Sequence, residues 1–320
     1  MNNIRNPMAA FGDVRALLQN AHAQDWAAWE ALCALCTSWP DHDHFVHVVE
    51  PYIRAHVERW SWDRSLMAHP RAWTQQMVTT GTTPIGMLLV DRLDLYRRAI
   101  DVAHFRDVVS SPFLANIRVL EAGGAGLDDS CVEALAAAPA LERVERLSLE
   151  SNRVDELGVE AIFRSTTLVS LTHLNLSHNA IADAPIAGDD PETWHQLEVL
   201  DLSYNDLSDG ALSRWLEYPS MERVEVLQLS STNLDSQSAF ALADAAHMHQ
   251  LRELDLSFNA IDDAGAIALS RSAHLRRLER LSIGHNNLSQ SGLRALLMSP
   301  HLPDAAKRPI RWLLPYDYTE

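Results

Sequence analysis

Five residues near the amino end have the types and spacing of a metal site. Cys33-x2-Cys36-x5-His42-x-His44-x2-His47 offers thiolates and imidazoles, the donors that zinc takes in tetrahedral sites. Both cysteines, however, share an apolar helical stripe with Trp26, Trp29 and Leu32, and thiols on such a stripe are ordinary core residues. The expectation is therefore no bound metal. Other chemistry is sparser still. The fifteen histidines are scattered, with His104, His247, His249 and His274 on helical or connecting stretches. No glycine-rich phosphate loop follows a strand, no G-x-S-x-G elbow occurs, and no paired carboxylates sit where a pKa would rise. The sequence thus assigns no catalytic residue, no cofactor and no enzymatic activity.

Charge and composition narrow the class further. The 320 residues carry a formal net charge of −17. Residues 114–298 hold 28 acids against 13 bases, so this middle segment accounts for nearly all of it. A field of that sign repels phosphate backbones and anionic lipid, which argues against nucleic acid or a membrane surface and for a basic protein partner. No run of eighteen apolar residues occurs, and the first thirty residues do not form a secretory leader. Three cysteines (Cys33, Cys36, Cys131) suit a reducing compartment, so the expected location is the cytoplasm. Arginine in place of lysine, with Lys307 the one lysine, is the usage of a GC-rich bacterial genome, where repeat proteins often accompany signalling or defence proteins.

What positions the remaining polar residues is a repeat. Segments fitting L-x-x-L-x-L-x-x-N-x-L start at Ile117, Val144, Leu171, Leu197, Val224, Leu251 and Leu278, every 26 or 27 residues. Asn152, Asn179, Asn205, Asn259 and Asn286 fill the asparagine position; the first copy has Ala125 there and the fifth has Thr232 followed by Asn233. Each copy continues into a polar turn, often Asp, and then into a stretch of helical spacing, so one copy is a short strand followed by a helix.

The segments VERLSLESNRVDELGVEAI, LEVLDLSYNDLSDGALSRWL, LRELDLSFNAIDDAGAIAL and LERLSIGHNNLSQSGLRAL resemble the leucine-rich repeat family, in its ribonuclease-inhibitor-like subtype, over residues 114–298. The resemblance implies an α/β solenoid: a right-handed leucine-rich repeat horseshoe with a parallel inner sheet and outer helices. The residues supply the reason. The leucines at positions 4 and 6, Leu174 and Leu176 for example, alternate with polar residues and face inward. Parallel strands repeat about every 4.8 Å, whereas packed helices need about 8–10 Å, so the stack must bend with its strands inside. The asparagine stands where the chain leaves the strand, and its carboxamide both donates and accepts, so an asparagine ladder can serve the backbone groups stranded there.

The residues left free face the concave side. Position 5 reads Glu121, Ser148, Asn175, Asp201, Gln228, Asp255 and Ser282; position 7 reads Gly123, Glu150, Ser177, Ser203, Ser230, Ser257 and Gly284; position 8 reads Gly124, Ser151, His178, Tyr204, Ser231, Phe258 and His285. Exposed aromatics in a polar, acidic field are what a protein-binding surface uses. The expected contacts are Glu150, His178, Asp201, Tyr204, Asp255, Phe258 and His285, and the expected function is non-enzymatic regulatory or adaptor binding of another protein. Two alternatives stand beside it. The chain could be the target or regulator of a partner enzyme such as a protease, engaged through an acidic loop at 182–192 that Pro185, Gly188 and Pro191 keep from forming the usual helix. The resemblance also implies a third option, since some relatives of this subtype activate small GTPases through a loop arginine, and Arg153 is the one arginine at such a strand exit in the seven copies.

The expected organisation is an all-α N-terminal domain over 1–113, seven repeats over 114–298 and a C-terminal cap over 299–320. Helices are expected in the segments 13–39, 44–60 and 84–109, on their apolar periodicity. In the cap, Ile310, Trp312, Leu313 and Leu314 are expected to shield the last coil.

Overall fold

The computed structural model describes residues 6–21, 26–37, 39–57, 69–184, 196–207 and 210–314. Among them, eight three-residue strands form one parallel sheet in chain order: β1 Arg92–Asp94, β2 Val119–Glu121, β3 Arg146–Ser148, β4 His173–Asn175, β5 Val199–Asp201, β6 Val226–Gln228, β7 Glu253–Asp255 and β8 Arg280–Ser282. The register is constant, so that Leu93, Leu120, Leu147, Leu174, Leu200, Leu227, Leu254 and Leu281 lie side by side. All eight are buried, and with the residue two places on, leucine or isoleucine except for Ala122 in the second coil, they make a continuous apolar rung. A fully buried leucine is worth about 1.5–3 kcal/mol, so each added coil extends the core.

The first strand corrects the expected organisation. A helix was expected through 84–109; instead a 3-10 turn, Ile85–Leu89, leads into β1, and the helix is confined to Val102–Val109. There are thus eight coils, the first starting at Val90. Its sequence, VDRLDLYRRAI, keeps the apolar positions of the repeat but has Arg98 where later coils have asparagine. Leu93, Leu95 and Ile100 are nonetheless buried, in a strand that pairs with β2 and belongs to one core with the apolar residues of the N-terminal helices.

Those helices are Pro7–Asn20, Trp26–Cys36, His42–His44 running through a π-turn into Glu50–Val57, and Arg71–Thr80. Trp29, Leu32, Cys33 and Cys36 are buried together, while the side chain of Trp26 lies outside the described residues. Trp73 ties this region to the first coil. Its indole N–H donates to Thr37 Oγ1 at 2.8 Å, and its ring lies where a Cβ on Gly86 would sit, 2.3 Å away. His69 Nε2 accepts the backbone N–H of Asp94 at 2.9 Å, closing the edge of β1.

Helices on the outer layer begin on capping side chains: Asp101, Asp128, Asp155, Asp235, Asp262 and Ser289 each accept an N–H of the first turn. The next residue often reaches the adjacent coil. Asp129 accepts from the N–H groups of Asp155 and Gly158, and Asp263 accepts from Ser289. That bridge explains the recurring glycine, since a Cβ on Gly158 or Gly292 would lie 2.4 or 2.3 Å from the bridging carboxylate. At the far end of the helices Ser165, Ser272 and Ser299 donate to Ala136, Ala243 and Ser270 carbonyls of the preceding coil.

After the eighth coil, helix Asp304–Arg311 packs on β8 with Ala306 and Ile310 buried, and Lys307 Nζ donates to the Ser299 carbonyl at 2.8 Å. Leu314 packs against the core, but Trp312 is 76% exposed and Leu313 40% exposed. The expectation that Trp312 shields the last coil is corrected: the helix ends at Arg311, and the turn that follows carries the indole outward.

Candidate protein-binding face

Every strand shows the same burial pattern, its middle residue buried and its flanking residues less so. Positions 3 and 5 of each coil therefore point to one face, as a period of two requires. This changes the electrostatics expected from positions 5, 7 and 8 alone. Position 3 contributes Arg92, Arg146, Arg280 and His173, and two of these arginines meet acids of the same face: Arg92 with Glu121 at 3.4 Å and Arg280 with Glu253 at 3.2 Å. The inner face is mixed in charge, and the acidic excess of the repeats resides largely on the helix caps and coil edges. At one such edge Arg252 lies between Glu225, at 3.1 Å, and Glu279, at 2.9 Å.

The middle of the face differs from its ends. Val199 and Val226 sit half-buried on adjacent strands, beside Asp201, Gln228 and Asp255 of position 5. Asp201 Oδ1 accepts the N–H of Ser203 at 2.9 Å, and Asp255 Oδ1 that of Ser257 at 2.8 Å, which fixes each carboxylate at its strand exit. Asn175 holds Ser177 in the same way. Glu150, one column over, is half-buried on the third coil.

At position 8 the backbone turns left-handed in every coil: Arg97, Gly124, Ser151, His178, Tyr204, Ser231, Phe258 and His285 have φ of 54, 64, 55, 55, 58, 55, 58 and 56°. The turn redirects the chain from the strand into the interior. For a non-glycine residue that conformation costs roughly 1–2 kcal/mol, yet only one of the eight is glycine. The asparagine that follows offsets the cost. Asn205 donates to the carbonyls of Leu176 (3.0 Å) and Leu202 (2.8 Å) and accepts the N–H of Ile181 (3.1 Å), linking two coils. Asn152, Asn179, Asn259 and Asn286 make the same set of contacts. In the sixth coil Thr232, fully buried, donates to Leu229 within its own coil, and its N–H is accepted by Asn259.

The left-handed residues form a ridge along the sheet, and four of them are rings. His178 stacks on Tyr204 with centroids 4.0 Å apart and planes 9° apart; Phe258 stacks on His285 at 4.1 Å and 10°. Tyr204 and Phe258 remain 50% and 52% exposed. Of the seven expected contacts, six therefore gather on the fourth to eighth coils, and Glu150 stands apart. Val199, Val226 and the arginines of position 3 are the face residues that the seven expected contacts leave out. Extending the alternation two residues back from position 5 in each copy finds them.

Elsewhere, candidate chemistry is taken up by structure. Cys33 and Cys36 are buried free thiols; burial pushes both upward, Cys36 to about 12. His44 stacks on Trp39 and His42 lies against Phe113. Among the described residues no group of three or more histidine, cysteine or carboxylate side chains is placed to hold a metal. The Arg153 guanidinium donates to the Gly126 carbonyl of the preceding coil at 3.2 Å, in a turn bridged to Asp128. Of the expected acidic loop 182–192, residues 182–184 are described, with Asp183 bound to Arg214 at 2.6 Å; Pro185, Gly188 and Pro191 lie outside the described residues. No described helix is long and apolar enough to cross a membrane.

A family model described as Leucine Rich repeat matches residues 167–184, 195–213, 247–270 and 274–297. No curated protein matches the chain. Among solved structures, the chain is similar to an internalin of Listeria monocytogenes, at 16% identity and a TM-score of 0.41, covering 68% of this chain and 61% of that one. It is also similar to TLR13, solved in its complex with ssRNA13, at 17% identity and a TM-score of 0.42, covering 66% of this chain and 32% of that one. It thus spans less than two thirds of either. The four matched segments are leucine-rich repeats, and the constant strand register and the asparagine contacts between coils give the described coils the same repeating fold.

Proposed function

We propose that this chain is a non-enzymatic recognition module that seats a protein partner on the inner face of its fourth to eighth coils. The observation that carries the reading is the pair of exposed, stacked ring couples, His178 with Tyr204 and Phe258 with His285, at the strand exits of a sheet that carries the half-buried valines Val199 and Val226 at its opposite edge. Rigid, exposed aromatic anchors in a polar surround are the make-up of binding hot spots. Their left-handed backbone and the asparagine ladder hold them in place before a partner arrives, which lowers the ordering cost of association.

The face is mixed in charge near its ends, so it suits a partner with local basic groups opposite Asp201 and Asp255 more than a uniformly basic one. The net charge of −17 adds long-range attraction for positive surfaces and disfavours nucleic acid and anionic membranes. The role proposed is regulatory or adaptor, in the cytoplasm, a reducing compartment in which the free thiols of Cys33, Cys36 and Cys131 would persist. The test is capture from native lysate by the wild-type chain and by the double variant Tyr204→Ala/Phe258→Ala, read by mass spectrometry, with affinities measured for each protein captured. A partner should lose roughly tenfold or more in affinity; one that binds the double variant equally well has its seat elsewhere.

A further inference from the structure

The ridge of rings is interrupted at one place. His178 and Tyr204 stack from the fourth and fifth coils, Phe258 and His285 from the seventh and eighth, and the sixth coil between them presents Ser231. Tyr204 and Phe258 are thus two strand spacings apart, about 9–10 Å at the parallel-sheet repeat. A flat group in contact with both rings needs about 3.5–4 Å on each side. The opening therefore has the width for one planar side chain, with Ser231 as its floor.

Its borders are symmetric as well. Position 5 of the same three coils reads Asp201, Gln228, Asp255, so a carboxylate accompanies each of the flanking rings. Each carboxylate spends Oδ1 on a backbone N–H of its own strand exit. A partner's neutral ring would fill the space but strip water from two carboxylates without replacing it. An ammonium is compact and is not matched to a slot between two ring faces, whereas a guanidinium is planar, stacks on aromatic faces and donates at its edge.

We infer that the gap over Ser231 is an arginine slot: a partner's guanidinium inserts between Tyr204 and Phe258 and donates toward Asp201 and Asp255. The inference rests on the reading of this face as the partner's seat, and it names the chemistry of that seat's centre.

The test titrates the full chain with acetyl-Gly-Gly-Arg-Gly-Gly-amide and with the same peptide carrying citrulline, lysine or phenylalanine, following backbone amide shifts. The arginine peptide should move the resonances of Tyr204, Ser231 and Phe258 saturably. The citrulline peptide, flat but uncharged, should bind roughly fivefold more weakly or worse. Ser231→Phe provides the second variant. It completes the ridge with a ring in a backbone conformation that Phe258 already adopts, at φ 55° against 58°, so the fold is retained while the slot is filled. Loss of the arginine response in that variant supports the slot. An equal response in Ser231→Phe, or a phenylalanine or citrulline peptide binding as well as arginine, overturns it. A captured partner that binds Ser231→Phe normally but not Tyr204→Ala/Phe258→Ala overturns the slot alone and leaves the binding face standing; one that binds both variants normally overturns the face as well.

Discussion

Replacing Asn205 tests the physics of the ladder on which the binding ridge stands. Asn205 is 3% exposed, and its carboxamide bonds the carbonyls of Leu176 and Leu202 and the N–H of Ile181, with a longer contact to the Ser203 carbonyl, which also accepts the N–H of His178. Asn205→Ala strands the Leu202 carbonyl and the Ile181 N–H, while the Leu176 carbonyl keeps its bond from Asn179 and the Ser203 carbonyl its bond from His178. At roughly 1–3 kcal/mol for each buried unpaired group, less what one water in the vacated space restores, the loss should be about 3 kcal/mol or more. Asn205→Thr calibrates the estimate, because the sixth coil already carries Thr232 at that position, donating to its own-coil carbonyl at 2.7 Å. Threonine should recover about 1 kcal/mol, the net worth of one bond. Asn205→Asp keeps the acceptor and places a carboxylate against two carbonyl oxygens, so it should be the least stable variant at neutral pH and regain stability as acid protonates it. Urea unfolding followed by circular dichroism, with unchanged slopes, measures all three. A cost below about 1 kcal/mol for Asn205→Ala, or threonine no better than alanine, would refute the claim that the carboxamide links the coils.

Two further outcomes follow from packing and protonation. Gly292→Ala places a Cβ 2.3 Å from the Asp263 carboxylate that accepts Ser289 N–H, and should cost about 1–3 kcal/mol, whereas Gly284→Ala meets nothing closer than Leu313 at 3.5 Å and should stay within about 0.5 kcal/mol; equal costs in a thermal melt would contradict the close approach. Burial lowers the pKa of His69, the acceptor of Asp94 N–H. The unfolded chain then binds the proton more readily, so this contribution is complete above about pH 6.5 and declines as pH falls toward the folded value. Melting temperatures between pH 7.5 and 5.5 should drop more for wild type than for His69→Gln, and parallel pH slopes would remove His69 from the account.

How much of this was legible in the sequence depends on which residues repeat. The buried leucines and the asparagines recur every 26 or 27 residues because each coil must present the same groups to its neighbours, and that constraint shows directly in the pattern. The first coil was hidden because Arg98 stands in the asparagine position and the surrounding residues are as apolar as a helix; only pairing with β2 distinguishes the strand. Position 3 of the strands is inconspicuous in the sequence for another reason. Its residues vary from Arg92 to Val226 to Glu253, as solvent-facing residues do, and only the alternation assigns them to the binding side. The left-handed turns at Tyr204 and Phe258 were illegible, since bulky residues rarely adopt them and nothing local signals the exception. The stacking of the four rings is set by neighbouring coils.

The central claim, that a protein partner sits on the inner face at the ringed ridge, is tested most directly by site-specific photo-crosslinking. The aromatic photo-crosslinker p-benzoylphenylalanine replaces Tyr204 or Phe258 on the ridge, or Leu157 on an outer helix, where it is 58% exposed. After irradiation with the captured partner, covalent adducts should form from both ridge positions and be absent from Leu157. Adducts from Leu157 alone would place the partner on the outer layer and contradict the account.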